Sequence, residues 1–165
     1  MKVKTMVFLL AALFLVFSVA QGSEERADLK KLAENYAKVA SSGDAEAVGK
    51  LYAEDAVMIM SGEPEPIKGR AAIVKNQEAF YRAMPDFKVE FTSILFSGNH
   101  IVFEGISRGT HTGPLPIPGG EIPPTGKKVE IKFAFIARVN ADGLIEEDRT
   151  YYDTAEMMKQ LGLMK

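Results

Sequence analysis

Near the C-terminal end of the chain, Asp148, Thr150 and Tyr152 are spaced two residues apart. In an extended strand that spacing puts all three side chains on one face, with Arg149, Tyr151 and Asp153 on the other. A carboxylate beside a hydroxyl and a phenol can do general acid–base work on a carbonyl compound. On an apolar face, burial lifts the carboxyl pKa towards the range where such exchange is useful. The competing reading is structural: Asp148 pairs with Arg108 or Arg138 and only shapes its surroundings. His111 is the second candidate. It lies in Gly109-Thr110-His111-Thr112-Gly113, where it can hydrogen-bond a ligand oxygen or shuttle a proton, or simply tie down a loop.

Other motifs carry less. Gly105-Ile106-Ser107-Arg108-Gly109 matches the G-x-S-x-G elbow of serine hydrolases. That elbow needs a strand, a sharp turn and a helix, with its histidine late in the chain. Here the match sits inside a strand-like stretch, and the last histidine is His111. Glu146, Glu147 and Asp148 are consecutive, and alternation places Glu146 with Asp148 on one face. A calcium site would need more oxygen ligands at closer loop spacing. Cysteine is absent and only two histidines exist, so thiol nucleophiles, disulfides and thiolate metal sites are excluded and no metal is expected. No nucleotide-binding glycine loop is present. With 20 basic and 22 acidic residues, the chain has no basic footprint for nucleic acid.

These residues must be positioned by a single domain, the size that 165 residues suggests. Lys2 and Lys4, the apolar run Val7 to Phe17, and the small residues Ser18 and Ala20 form the three-part pattern of a signal peptide over 1–22. Cleavage is expected after Ala20 or Gly22, giving an exported protein, periplasmic or extracellular, with no stable membrane insertion. The alternative is an uncleaved N-terminal membrane anchor. Removing 1–22 takes two lysines and no acids, so the net charge moves from −2 to −4.

Residues 23–165 then read as helices followed by strands. Leu29, Leu32, Tyr36, Val39 and Ala40 follow helical spacing over 23–42. Gly43 stops that helix and Asp44 caps a shorter one reaching about Tyr52. Val57 to Met60 reads as a short buried strand whose methionines Met58 and Met60 line a cavity or fill the core. Residues 70–84 form a third helix ended by Pro85. Strands follow over 87–97, 100–112, 127–140 and 144–152, with Val89, Phe91 and Leu95 on one side of the first, and a closing helical turn over 154–161. Nine of the 14 residues in 113–126 are Gly or Pro, which predicts neither strand nor helix there but a loop that serves as a lid or interface arm. The fold class is α+β: a curved antiparallel sheet with N-terminal helices laid across it, forming a cone.

Several segments together resemble the SnoaL-like polyketide cyclases, or ester cyclases. They are Gly109-Thr110-His111-Thr112-Gly113-Pro114, Ile122-Pro123-Pro124-Thr125-Gly126-Lys127, Tyr52-Ala53-Glu54-Asp55, Met84-Pro85-Asp86, Asp142 to Glu147, and Gln160-Leu161-Gly162. The resemblance spans about 26–163. It implies the nuclear-transport-factor-like, ketosteroid-isomerase-like superfamily and its cystatin-like α+β barrel, with a homodimer formed through the sheet. It also implies ring closure by aldol chemistry without metal or cofactor, using an Asp in the last strand. Members often read His-x-Asp where this chain has Asp148-Arg149-Thr150, so Thr150 occupies the acid's place. Phe135 falls where the cyclases carry a pocket histidine. The acid–base role passes to Asp148, two residues away, or is lost.

Three functions follow as expectations. The first is an exported domain that binds a small apolar or carbonyl-bearing molecule through Tyr36, Met58, Met60, Phe135, Thr150 and Tyr152. The second is a cofactor-free cyclase or isomerase with Asp148 and His111 as its catalytic residues. The third is a structural or interaction protein whose cone is filled by side chains.

Overall fold

The computed structural model describes residues 26–164. The segment 1–22, expected to be a signal peptide, lies outside the described residues. Helix α1 covers 26–39, and its buried Leu29 and Ala33 face the sheet core with Tyr36 packed against them. Asp44 accepts a hydrogen bond from the Ala47 amide and caps α2, Ala45–Gly49. The expected extension to Tyr52 does not occur. The Leu51 carbonyl instead accepts from the Ile145 amide at 2.8 Å, so sheet pairing takes over the chain. Tyr52 therefore opens strand β1, Tyr52–Met60, which is longer than the predicted Val57–Met60 run.

Strand β2, Ile67–Lys68, and helix α3, Arg70–Ala83, precede β3, Lys88–Ser97, and β4, His100–Thr110. After β4 the chain forms β5, Leu115–Ile117, and β6, Gly120–Ile122, and then β7, Lys128–Val139, β8, Ile145–Tyr152, and α4, Thr154–Gln160. Six strands make one sheet in the order β2-β1-β8-β7-β4-β3. Neighbours are antiparallel except β1 and β8, which run parallel. The α+β architecture with a curved sheet and few helices matches the expectation. The main core, including Tyr52, Phe103, Phe135 and Ile145, lies between the sheet and α1.

Two local irregularities change the predicted faces. A register shift between Phe91 and Ser93 inserts an extra residue at Thr92. Each bulge reverses the inward–outward alternation beyond it. Ile94 and Phe96 thus pack inward, and Leu95 turns out at 59% exposure. A second shift leaves Glu146 unpaired between the partners Arg138↔Glu147 and Val139↔Ile145. Glu146 therefore does not share the face of Asp148; it joins Glu147 on Arg138.

The segment 113–126 also differs from expectation, because β5 and β6 pair as a hairpin. A two-stranded ribbon has free outer edges, so a proline such as Pro116 needs only to turn its missing N–H outward. Leu115 and Ile122 are both buried against Met84, Val129, Ile131 and Leu161, which pins the hairpin at its base.

Candidate functional site

The cone is not filled. It encloses a cavity of about 550 Å³, within the range of small-molecule sites. The sheet forms its floor, and α1, α3, α4 and the β5–β6 hairpin wall it. All six expected pocket residues line it: Tyr36, Met58, Met60, Phe135, Thr150 and Tyr152. Glu63 is the only charged side chain among the lining residues, and no lysine or arginine is among them. Met58, Met60, Met84, Met157, Met158 and Met164 all contribute, and they are every methionine among the described residues. Thioether side chains fit irregular apolar shapes readily.

Asp148 belongs to the interior face, as the alternation predicts, but lies one layer below the cavity surface. It is 1% exposed and is not among the lining residues. Its Oδ2 accepts from the Tyr52 hydroxyl at 2.7 Å, and its Oδ1 accepts from Thr150 Oγ1 at 2.9 Å. No arginine reaches it. Arg108 is held by Glu90 and Glu130, and Arg138 by Glu146 and Glu147, so the ion-pair reading of Asp148 fails. Burial without a cation pushes its carboxyl up to about 7, against the pull of the Tyr52 and Thr150 hydrogen bonds. The Tyr52 phenol is raised well above its ordinary value, first by burial and then by the Asp148 charge. Tyr36 joins the group: burial and the same charge raise its phenol, and a hydrogen bond with Tyr52 opposes the rise.

Tyr52 is the site residue that sequence reasoning missed. In the sequence it reads as a helix end, and its partner lies 96 positions away. The signal available was the Gly49-Lys50 stop followed by the interior positions Tyr52, Ala56 and Met58, all buried. Arg70 Nε donates to the Tyr52 carbonyl at 2.7 Å and fixes its backbone.

His111 is not part of this arrangement. Asp148 is level with Ala137 and Ile101 in the sheet. Ten residues of strand and its end then separate Ile101 from His111, roughly 30 Å at about 3.3 Å per residue. His111 is fully buried and does not line the cavity. Its Nδ1 accepts from the Thr125 amide at 3.3 Å and meets the Thr125 hydroxyl at 3.1 Å, while the His111 carbonyl accepts from the Gly126 amide. It ties the return of the hairpin segment to the end of β4, and burial lowers its pKa. Ser107 does reach the cavity wall, but its hydroxyl donates to the Ile131 carbonyl at 3.3 Å within a regular strand, so it forms no nucleophile elbow.

A model of SnoaL-like polyketide cyclases matches residues 30–161. The chain belongs to the SnoaL-like polyketide cyclase family. Solved structures agree with the fold. AclR, a candidate hydroxylase from Streptomyces galilaeus, superposes with a TM-score of 0.70 at 23% identity, over 84% of this chain and 98% of that one. IdmH, a candidate polyketide cyclase from Streptomyces antibioticus, gives 0.64 at 26% identity, over 81% and 98%. A ketosteroid-isomerase-like protein from Catenulispora acidiphila, solved with trimethylamine, gives 0.66 at 19% identity, over 80% and 92%. No curated protein matches the sequence significantly. Within the family framework, the position expected to carry the last-strand acid holds Thr150, which faces the cavity with Asp148 behind it.

Proposed function

We propose that this SnoaL-like protein is an exported binding protein for a neutral, largely apolar small molecule, held in the cone with a polar group against Thr150. The arrangement of Asp148 supports this reading best. The one carboxylate on the interior face is sealed from the cavity, with both oxygens engaged by hydroxyl donors. The lining offers no cation to a carboxylate or phosphate, and its one carboxylate, Glu63, is exposed to solvent rather than buried against the cavity as a partner for a cation, so an uncharged ligand fits. Native mass spectrometry of purified protein tests the proposal. A non-covalent adduct that denaturation releases supports it. A protein that carries no adduct and binds none of a panel of neutral two- and three-ring compounds at micromolar concentration overturns it.

One observation favours a second reading, a cofactor-free cyclase or isomerase. A carboxyl lifted to about 7 is matched to proton exchange near neutrality, and Thr150 Oγ1 links it to the cavity. In that reading Asp148 acts through the Thr150 hydroxyl, and Asp148→Asn lowers turnover by about 10²–10⁴-fold. In the binding reading the same change leaves affinity for a purely apolar ligand within about tenfold.

Export rests on Lys2, Lys4 and the apolar run 7–17. Protein from its native host is expected to begin at Gln21 or Ser23, whereas an intact Met1 in a membrane fraction establishes the anchor instead.

A further inference from the structure

We infer that Thr150 reads the hydrogen-bonding sense of the ligand and that Asp148 sets it: the cavity takes an N–H or O–H donor when Asp148 is ionised and a carbonyl acceptor when Asp148 is neutral. The inference rests on the small-molecule reading above.

The argument is a count of protons. A threonine hydroxyl has one hydrogen and two acceptor lone pairs. The Thr150 hydrogen points at Asp148 Oδ1, at 2.9 Å. While it stays there, Thr150 can show the cavity lone pairs only, and a ligand group docked on it must donate. The other carboxylate oxygen is held by the Tyr52 hydroxyl at 2.7 Å. A proton arriving on the carboxyl turns one of these bonds around. If it settles on Oδ2, the displaced Tyr52 hydrogen turns to the neighbouring Tyr36 oxygen and the Thr150 hydrogen stays on Oδ1. If it settles on Oδ1, Asp148 donates to Thr150 and the displaced Thr150 hydrogen turns into the cavity, where a ligand carbonyl can accept it. An acceptor ligand docked on Thr150 therefore selects the Oδ1 form, because only that form frees the Thr150 hydrogen for it.

No other charge interferes. Strand β1 brings Tyr52 and Met58 against Asp148, β7 brings Ala137, and α1 brings Tyr36. None of these is a cation or a second carboxylate. Glu63, the charged lining residue, acts on Tyr152 rather than on Asp148. With the Asp148 carboxyl at about 7, both states are populated near neutrality.

Three flat molecules of nearly equal shape make the test: fluorene with no polar group, carbazole with an N–H donor, and fluorenone with a carbonyl acceptor. Each is titrated into the full protein at pH 5.5 and 8.5, with affinities taken relative to fluorene. From pH 5.5 to 8.5 the carbazole preference rises about fivefold and the fluorenone preference falls by about as much, the worth of one net hydrogen bond. Thr150→Val abolishes both changes, each read relative to fluorene on the same variant, and Thr150→Ser keeps them. Asp148→Asn presents an amide N–H to Thr150 at every pH and holds the fluorenone preference at its acidic level. The inference is overturned if fluorene binds but neither preference moves with pH, or if Thr150→Val leaves the changes intact. Where Thr150→Val does not fold, loss of the changes in Thr150→Ser overturns it equally. If fluorene itself does not bind, the small-molecule reading falls and this inference falls with it.

Discussion

Asp148 carries a cost that rises with pH. Its carboxyl is lifted to about 7 in the folded protein, against about 3.9 in an unfolded chain. The folded state therefore holds the proton more tightly. That contribution to stability is complete below about pH 4 and is lost as pH rises to about 7, after which it changes no further. Asp148→Asn keeps the shape and removes the titration. Its stability relative to wild type is expected to improve by about 2–4 kcal/mol between pH 4 and pH 8, read by chemical denaturation. A gap that stays constant over that range would show that Asp148 is not held in a desolvated site. The co-facial set Asp148, Thr150 and Tyr152 was legible from a two-residue spacing alone. The partner of Asp148 was not, because Tyr52 reaches it only after β1 has been laid parallel to β8. The arginines offered as partners sit on outward positions already satisfied by glutamates.

At the scale of elements, the helices and most strands follow directly from periodicity, whereas the bulges do not. One extra residue at Thr92 or Glu146 leaves composition unchanged and reverses every face beyond it, which is why strict alternation puts Leu95 and Glu146 on the wrong sides. Gly105 shows a similar dependence on the neighbouring strands. A Cβ added there would stand 2.6 Å from the Glu90 carbonyl oxygen and 2.9 Å from the Phe133 ring. Gly105→Ala should therefore destabilise the protein by about 1–3 kcal/mol through overpacking, seen as a lower denaturation midpoint with unchanged slope. Thus the G-x-S-x-G string has a packing explanation for its first glycine. The hairpin makes a separate prediction. Leu115 is its main apolar anchor on β5 and also lines the cavity. Leu115→Ala should cost about 2–4 kcal/mol and speed amide exchange across 115–122 more than in β7. Uniform acceleration throughout the sheet would mean that the hairpin does not open on its own.

For the molecule as a whole, the outer face of the sheet lacks a cover among the described residues. Register pairing lines up Leu95, Val102, Ile136, Arg149 and Ile59 in one row across five strands. Leu95, Ile59 and, one row along, Tyr151 are 59%, 36% and 49% exposed. An apolar stripe interrupted by one arginine is the kind of surface that a second copy can bury with its own stripe. A homodimer through this face is expected in sedimentation at micromolar concentration, and Ile136→Asp should convert it to monomer while leaving the cavity intact. A wild-type protein that sediments only as a monomer would remove the proposal. The sheet and cone were legible at this scale because helices precede strands in the chain. Leu95 could not be assigned to this surface until the bulge at Thr92 was known.

The concentration of methionines around the cavity gives the protein a built-in spectroscopic reporter. Six of the eight methionines in the sequence line the cavity, and the other two are Met1 and Met6. Isotopic labelling of the methionine methyl groups therefore yields an NMR spectrum in which six resonances surround any bound molecule. Two more appear only while the N-terminal segment is still attached. A single spectrum of material from the native host would count the signals and so report whether residues 1–22 are retained. The same six resonances would then map, by which of them shift, how deeply a ligand enters.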